Sequence, residues 1–216
     1  STLFPYTTLF RSSYDYILCR NNQPLVQAYI ELLSKGKKAT IYGRDCGEKL
    51  CKLQDKIDSE DKVEIFQKLG EMRTSLIEEL KTKGVQNVDY HPALGNFDEM
   101  YSIISLLLSR MSPVQMRMQI REMFTDEKRE GVILMTCHKA KGLENENIFF
   151  LNSNLIPSKY AQSPQMLYAE RCLYYVAVTR AKNKLVYINL ESNETGGITQ
   201  QIGATFIPIE NIQTHS

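Results

Sequence analysis

From Tyr14 onward the chain alternates short apolar runs with amphipathic stretches. Residues 16–19 (YILC) form an apolar run that stops at Arg20, as a short buried strand does. Asn21 and Asn22 then offer a helix N-cap, and Pro24 suits a first helical turn. Leu25, Tyr29, Leu32 and Leu33 recur at helical spacing until Gly36 stops the pattern. Residues 38–42 (KATIY) read as the next strand, with Gly43 as a turn. A strand, helix, strand unit of this kind builds parallel sheets.

The pattern then changes. Residues 62–83 are rich in Glu, Lys and Leu, with Val63, Phe66, Leu69 and Ile77 placed for a helix. Residues 97–110 and 113–124 are two further helical stretches, parted at Ser112-Pro113. Residues 47–130 are therefore expected to form a mainly helical insertion. Alternation resumes with strands at 131–135 (GVILM) and 148–151 (IFFL), a helix over 165–181 introduced by Ser163-Pro164, and a strand at 184–190 (KLVYINL). The polar run after Glu191 ends the compact region and leaves 191–216 as a tail. The expected fold class is α/β with a parallel sheet. The folded domain comprises 13–46 and 131–190.

Composition adds limits. A length of 216 residues suits one domain with an insertion. A net charge of +1 gives no overall basic field, so any nucleic-acid contact must be local. The apolar runs are too short to span a bilayer, and no membrane partner is expected. Five cysteines (Cys19, Cys46, Cys51, Cys137, Cys172) are odd in number and lack a CxxC pair, which argues against a disulfide framework or a zinc site. Reduced thiols in a cytoplasmic protein are the plain reading. Residues 1–12 repeat the triplet TLF and match no signal peptide; they read as foreign to the fold.

Three segments carry candidate chemistry, each beside a strand end, where open α/β sheets place ligands. Residues 136–144 (TCHKAKGLE) gather a hydroxyl, an imidazole, two lysines, a glycine and a carboxylate directly after a strand. Such groups contact phosphate oxygens, though a solvated turn would look the same. In residues 168–182, Leu173, Val176, Ala177 and Arg180 share one helical spacing. An arginine closing an apolar face calls for an anion, unless it curls to solvent or pairs with a helix carboxylate. Arg20 closes a strand beside a helix start, suited to a phosphate but equally to the surface.

The order and wording of these segments resemble the C-terminal RecA-like domain of UvrD/Rep-type superfamily 1 helicases. That family opens the domain with a strand ending in Arg-x-Asn, matched by Arg20, Asn21 and Asn22. Its T-x-H-x-A-K-G-L-E segment is matched by Thr136, His138, Ala140, Lys141, Gly142, Leu143 and Glu144. A pattern close to E-x-x-x-L-x-Y-V-A-x-T-R-A is matched by Glu170, Tyr175, Val176, Ala177, Thr179, Arg180 and Ala181, with Leu173 two residues before Tyr175. The resemblance covers about 14–190.

It implies a RecA-like fold and a role as one half of an ATP-dependent 3′-to-5′ DNA helicase. It further implies that Arg20 and Arg180 reach the γ-phosphate from across a domain cleft. Glu144 and Gly142 would join them on the nucleotide. Thr136, His138 and Lys139 would contact single-stranded DNA. No G-x-x-x-x-G-K-[ST] occurs in the chain, nor does the family's acidic magnesium-binding motif. Mg²⁺ and the ATP phosphates are thus expected in a separate N-terminal half, which is the implied partner along with single-stranded DNA. On this reading the chain looks like a truncated gene product, inactive in ATP hydrolysis by itself. The insertion looks like a reduced accessory subdomain. The alternative is a non-catalytic RecA-like module that binds DNA or protein.

Overall fold

The computed structural model describes residues 15–127 and 130–188, and the backbone of 191–192, 198–199 and 206–208. The foreign-looking segment 1–12 and most of the tail lie outside the described residues.

Six strands run parallel: β1 (Tyr16–Cys19), β2 (Ala39–Tyr42), β3 (Phe124–Thr125), β4 (Val132–Thr136), β5 (Asn145–Leu151) and β6 (Ala181–Ile188). Glu191–Ser192 (β7) and Ile198–Thr199 (β8) pair apart from them. Phe206–Pro208 (β9) adds to β6 antiparallel. The main sheet has the order β3-β2-β4-β1-β5-β6-β9. β1 lies in the middle, between β4 and β5, and its four residues are buried or nearly so. The apolar run YILC is the sequence signature of that position, since a parallel strand is covered on both faces.

Successive residues point to opposite faces, and the core divides accordingly. Ile17, Cys19, Ile41, Val132, Leu134, Phe149, Leu151, Val186 and Ile188 face one layer. Leu18, Ile133, Met135, Ile148, Phe150 and Leu185 face the other. The first layer is thick. It holds α1 (Asn22–Ser34), α2 (Arg44–Ile57), α3 (Lys62–Thr82), α4 (Pro92–Leu108) and α5 (Pro113–Met123). The second is thin: α6 (Pro164–Val178) and the segment after β4.

Local chemistry fixes these elements. α1 ends in a Schellman motif, with Gly36 N–H on Leu33 O at 2.9 Å and Lys37 N–H on Leu32 O at 3.0 Å. Asn21 caps α1 by position only; its side chain makes no capping bond. Glu99 of α4 accepts from the Asn22 N–H in its place. α5 starts with a full capping box between Ser112 and Gln115. The helices of the segment between β2 and β3 share one core with α1 and the sheet, and α4 lies directly on α1.

Several boundaries move from their expected places. The helix expected to run to Ala181 ends at Val178, and β6 begins at Ala181 rather than Lys184. The reason is pairing: Ala181 is in register with Asn145, and the Asn145 N–H bonds Arg180 O at 3.0 Å. A ladder thereby takes residues whose side-chain spacing suited a helix. β5 also starts early, at Asn145, on polar residues that apolar runs cannot reveal. β3 was not foreseen. Two residues are too short for any periodic signal, and Phe124 follows α5 directly.

Candidate functional site

Parallel strands give the sheet two unlike ends. The C-terminal end gathers Arg20, which follows β1, and Thr136, where Cys19 is in register with both Thr136 and Leu151. The opposite end gathers Asn145 and Ala181, in register with each other. From Asn145 to Leu151 is six strand steps, so the two ends stand roughly 20 Å apart at about 3.3 Å per residue. Two pieces of chain cross between them on the thin face: residues 137–144 and α6.

Residues 137–142 form consecutive turns, and 143–144 lead from them into β5. The Cys137 N–H bonds Cys19 O at 2.8 Å, and Thr136 O accepts from the Lys139 and Ala140 N–H groups. Cys137, Ala140 and Leu143 pack down onto the sheet, which leaves His138, Lys139, Lys141, Gly142 and Glu144 exposed. Gly142 takes a φ of +83°, a left-handed turn that an L side chain resists. The anchoring pattern explains why so polar a segment holds one path.

At the C-terminal edge the main feature is an ion pair. Arg20 Nε lies 3.1 and 3.0 Å from the two carboxylate oxygens of Glu170, and its Nη2 lies 2.8 Å from Oε1. Glu170 is 7% exposed and also accepts from the Ser158 N–H at 2.9 Å. Burial alone would raise its carboxyl, but the bonds from Arg20 and Ser158, with the positive field of Arg20, hold it below the usual range. His138 stands in the same field. Loss of surrounding water pushes its imidazole down, Arg20 pushes it further, and Glu170 opposes both. Burial drives the Cys19 thiol up to about 12 and raises Cys137 as well, so neither is a thiolate nucleophile. Lys139 is tied to α2, with Nζ 2.9 Å from Asp45 and 3.9 Å from Asp126. The bond to Lys139 holds the Asp45 carboxyl down.

At the opposite edge stands Arg180. It does not close an apolar helical face, because the helix has already ended. Its Nε bonds Val176 O at 2.9 Å, Nη2 bonds Thr179 Oγ1 at 3.0 Å, and Nη1 reaches Leu143 O at 3.3 Å. The guanidinium therefore caps α6 and joins it to the crossing turn. Glu144 stands in the same stretch, 3.7 Å from Lys182 with both side chains about half exposed. Arg180, Gly142 and Glu144 thus occupy one region. Arg20 and Arg180, expected to converge on one phosphate, are at opposite ends of the sheet; the structure does not bring them together.

The sequence matches the model of the UvrD-like helicase C-terminal domain over residues 14–192. The chain belongs to that family. This helicase domain is 27% identical over 191 residues to the F-box DNA helicase protein 1 of Schizosaccharomyces pombe, a match covering 85% of the chain and 20% of that protein. It is 32% identical over 126 residues to DNA helicase II of Haemophilus influenzae, covering 57% of the chain and 16% of the relative. It is 35% identical over 77 residues to the ATP-dependent DNA helicase Rep of Buchnera aphidicola, covering 33% and 12%. The matched region is a fifth of these relatives or less. Within the helicase domain, Glu170 is the residue whose part the sequence left blank. It fits the family pattern, yet only the fold places it against Arg20, 150 positions away. Among the described residues no helix is long and apolar enough to cross a membrane.

Proposed function

We propose that this chain is the C-terminal motor half of an ATP-dependent 3′-to-5′ DNA helicase, with its two functions on opposite edges of one sheet. The nucleotide edge carries Arg180, Glu144 and Gly142. The nucleic-acid edge carries Thr136, His138 and, beside them, Lys139. The observation that supports this best is the path of residues 137–144. That segment leaves the Thr136 edge, crosses the sheet and arrives at the Arg180 turn, where Leu143 O meets the guanidinium.

ATP supplies the phosphoryl group whose transfer drives the cycle, and its Mg²⁺ ligands are expected from a P-loop half. The residues of this chain fit the other side of such a site. Arg180 holds its fork through neutral carbonyl and hydroxyl acceptors. An anionic phosphate outcompetes neutral acceptors, since charge-assisted bonds are about twice as strong. Glu144 stands beside it without burial, available to a polar group of the nucleotide. Opposite, Thr136 presents a hydroxyl and His138 an imidazole to a backbone phosphate.

The test is ATP hydrolysis by this chain joined to a P-loop-bearing half of the same family. Arg180→Ala is expected to lower kcat by about 10³ to 10⁵, the range for arginine fingers. Arg180→Lys should recover little, because an ammonium lacks the planar fork. Turnover of the alanine variant at the parent rate would remove Arg180 from the nucleotide. The isolated chain is expected to release no phosphate from ATP, even with saturating single-stranded DNA; turnover near ~1 s⁻¹ would contradict this.

A further inference from the structure

We infer that Arg20 is a contact for a nucleic-acid phosphate and that Glu170 is the residue that positions it, an inference that rests on the nucleic-acid reading of the C-terminal edge. Arg20 leaves β1 at the level of Thr136, on the edge that also carries His138. That edge is about 20 Å from Arg180, too far for both arginines to serve one phosphate.

The geometry of the pair defines what remains for a ligand. Glu170 occupies the side of the guanidinium formed by Nε and Nη2. An arginine has five donors in a rigid plane, and the bonds given to Arg20 use Nε and Nη2. The Nη1 end takes no part in the pair. The Arg20 side chain keeps 22% of its surface exposed, against 9% for Glu170. The carboxylate is thus the buried, fixed member, held additionally by the Ser158 N–H. The arginine is the member that reaches the surface. This arrangement fixes the plane of the fork before a ligand arrives, which removes the rotamer cost of ordering a long side chain on binding.

The surroundings decide the direction of approach. The neighbouring cleft, lined by Asn21, Ser158 and Tyr160 among others, carries Asp98 and Glu99 against a single cation, Lys159, whose Nζ lies over the Tyr160 ring. Asp98 is paired with Arg73 and Glu99 caps α1, so the wall is acidic and already engaged. A phosphate is disfavoured there. Outside that cleft, at the same strand-end edge as Arg20, stand Thr136 and His138, whose hydroxyl and imidazole suit the same ligand. The imidazole is in the field of Arg20 and Glu170.

A structural ion pair and a positioning pair differ in the sign of one effect. If Glu170 acts on nucleic acid only through its charge, Glu170→Gln removes a negative group from the edge and tightens binding. If it positions Arg20, the same substitution weakens binding in spite of the added positive charge. The experiment titrates a fluorescently labelled oligothymidylate with the 216-residue chain at several salt concentrations, with folding followed by circular dichroism.

Glu170→Gln is expected to weaken binding several-fold. Arg20→Gln should weaken it at least as much and reduce the salt slope by about 0.7, the value for one phosphate on a single strand. The double variant should be no weaker than Arg20→Gln, since the two act as a unit. Glu170→Asp, which keeps the charge and shortens the reach, should also weaken binding; it stands in if the glutamine variant does not fold. Unchanged or tighter binding by the folded Glu170 variants would overturn the positioning role. Full affinity in Arg20→Gln, with loss in Thr136→Ala, would overturn the Arg20 contact while leaving the edge assignment intact. No binding of the oligothymidylate by the parent chain would overturn the edge assignment and this inference together.

Discussion

Three residues show how one side chain sets local behaviour. Glu170 is held below the ordinary carboxylate range by Arg20 and the Ser158 N–H, against its burial. A carboxyl lowered on folding contributes stability above its unfolded value and loses it as pH falls through the folded one. Glu170→Gln should therefore destabilise the chain at neutral pH, by about 1.5–3 kcal/mol for lost bonds between charged groups. The difference between parent and variant should begin to shrink as pH falls through about 4, where the unfolded carboxyl protonates, and close only below the lowered value of the folded chain. Denaturant unfolding at pH 7 and pH 3 measures both. Gly142→Ala should cost about 1 kcal/mol, because φ of +83° is strained for alanine although no atom lies within 4 Å of the new methyl. Gly95 is the opposite case: its backbone is ordinary, but an added Cβ would come within 2.4 Å of the Tyr160 ring. Gly95→Ala forces the ring aside, and a thermal melt should show a loss of about 1–3 kcal/mol, as overpacking does.

Among elements, the crossing segment 137–144 and α6 have parallel roles, each running from one edge to the other. If the segment transmits DNA occupancy to the nucleotide, changing its first residues should alter coupling more than basal turnover. In a helicase assembled with a P-loop half, Thr136→Ala with His138→Ala is expected to lower the stimulation of ATP hydrolysis by single-stranded DNA. The shift corresponds to about 1–3 kcal/mol of coupling. Equal loss of basal and stimulated rates would make the segment a support only. The elements were unequally legible beforehand. β1 was readable to the residue, because YILC is apolar throughout and ends at a charge. The helix containing Glu170 was readable in its start, which Ser163 caps onto the Met166 N–H. Its end was not, since whether Thr179 and Arg180 continue a helix or begin a strand depends on Asn145, 35 positions earlier. The site had the same limit. The motifs marked Thr136, His138, Glu144 and Arg180 by type, but linear order cannot say that Arg20 faces Glu170 and turns away from Arg180.

At the scale of the whole molecule, the two edges are separate enough to be altered independently. Glu170→Gln and Arg180→Ala share no bonding partner, and the eight helical steps from Glu170 to the end of α6 at Val178 already span about 12 Å. Their stability losses should add to within about 0.5 kcal/mol in chemical denaturation. A larger discrepancy would mean that α6 moves as one body when either end is released. The sheet that separates the edges is also covered unequally. Five helices lie over one face, while α6 and a turn segment lie over the other. Detaching α6 gives up the packing of Leu173, Tyr174, Ala177 and Val178 on the sheet face around Phe150, together with the tyrosine pair Tyr174–Tyr187. Local opening costs least where few apolar contacts must be given up. Amide exchange should therefore be graded across the thickness of the molecule, fastest in α6 and slowest in α1 and β1. A protein with this grading can breathe on its working side while the other stays shut. The parts that must respond to a ligand are then the parts that come loose most cheaply, with no hinge required.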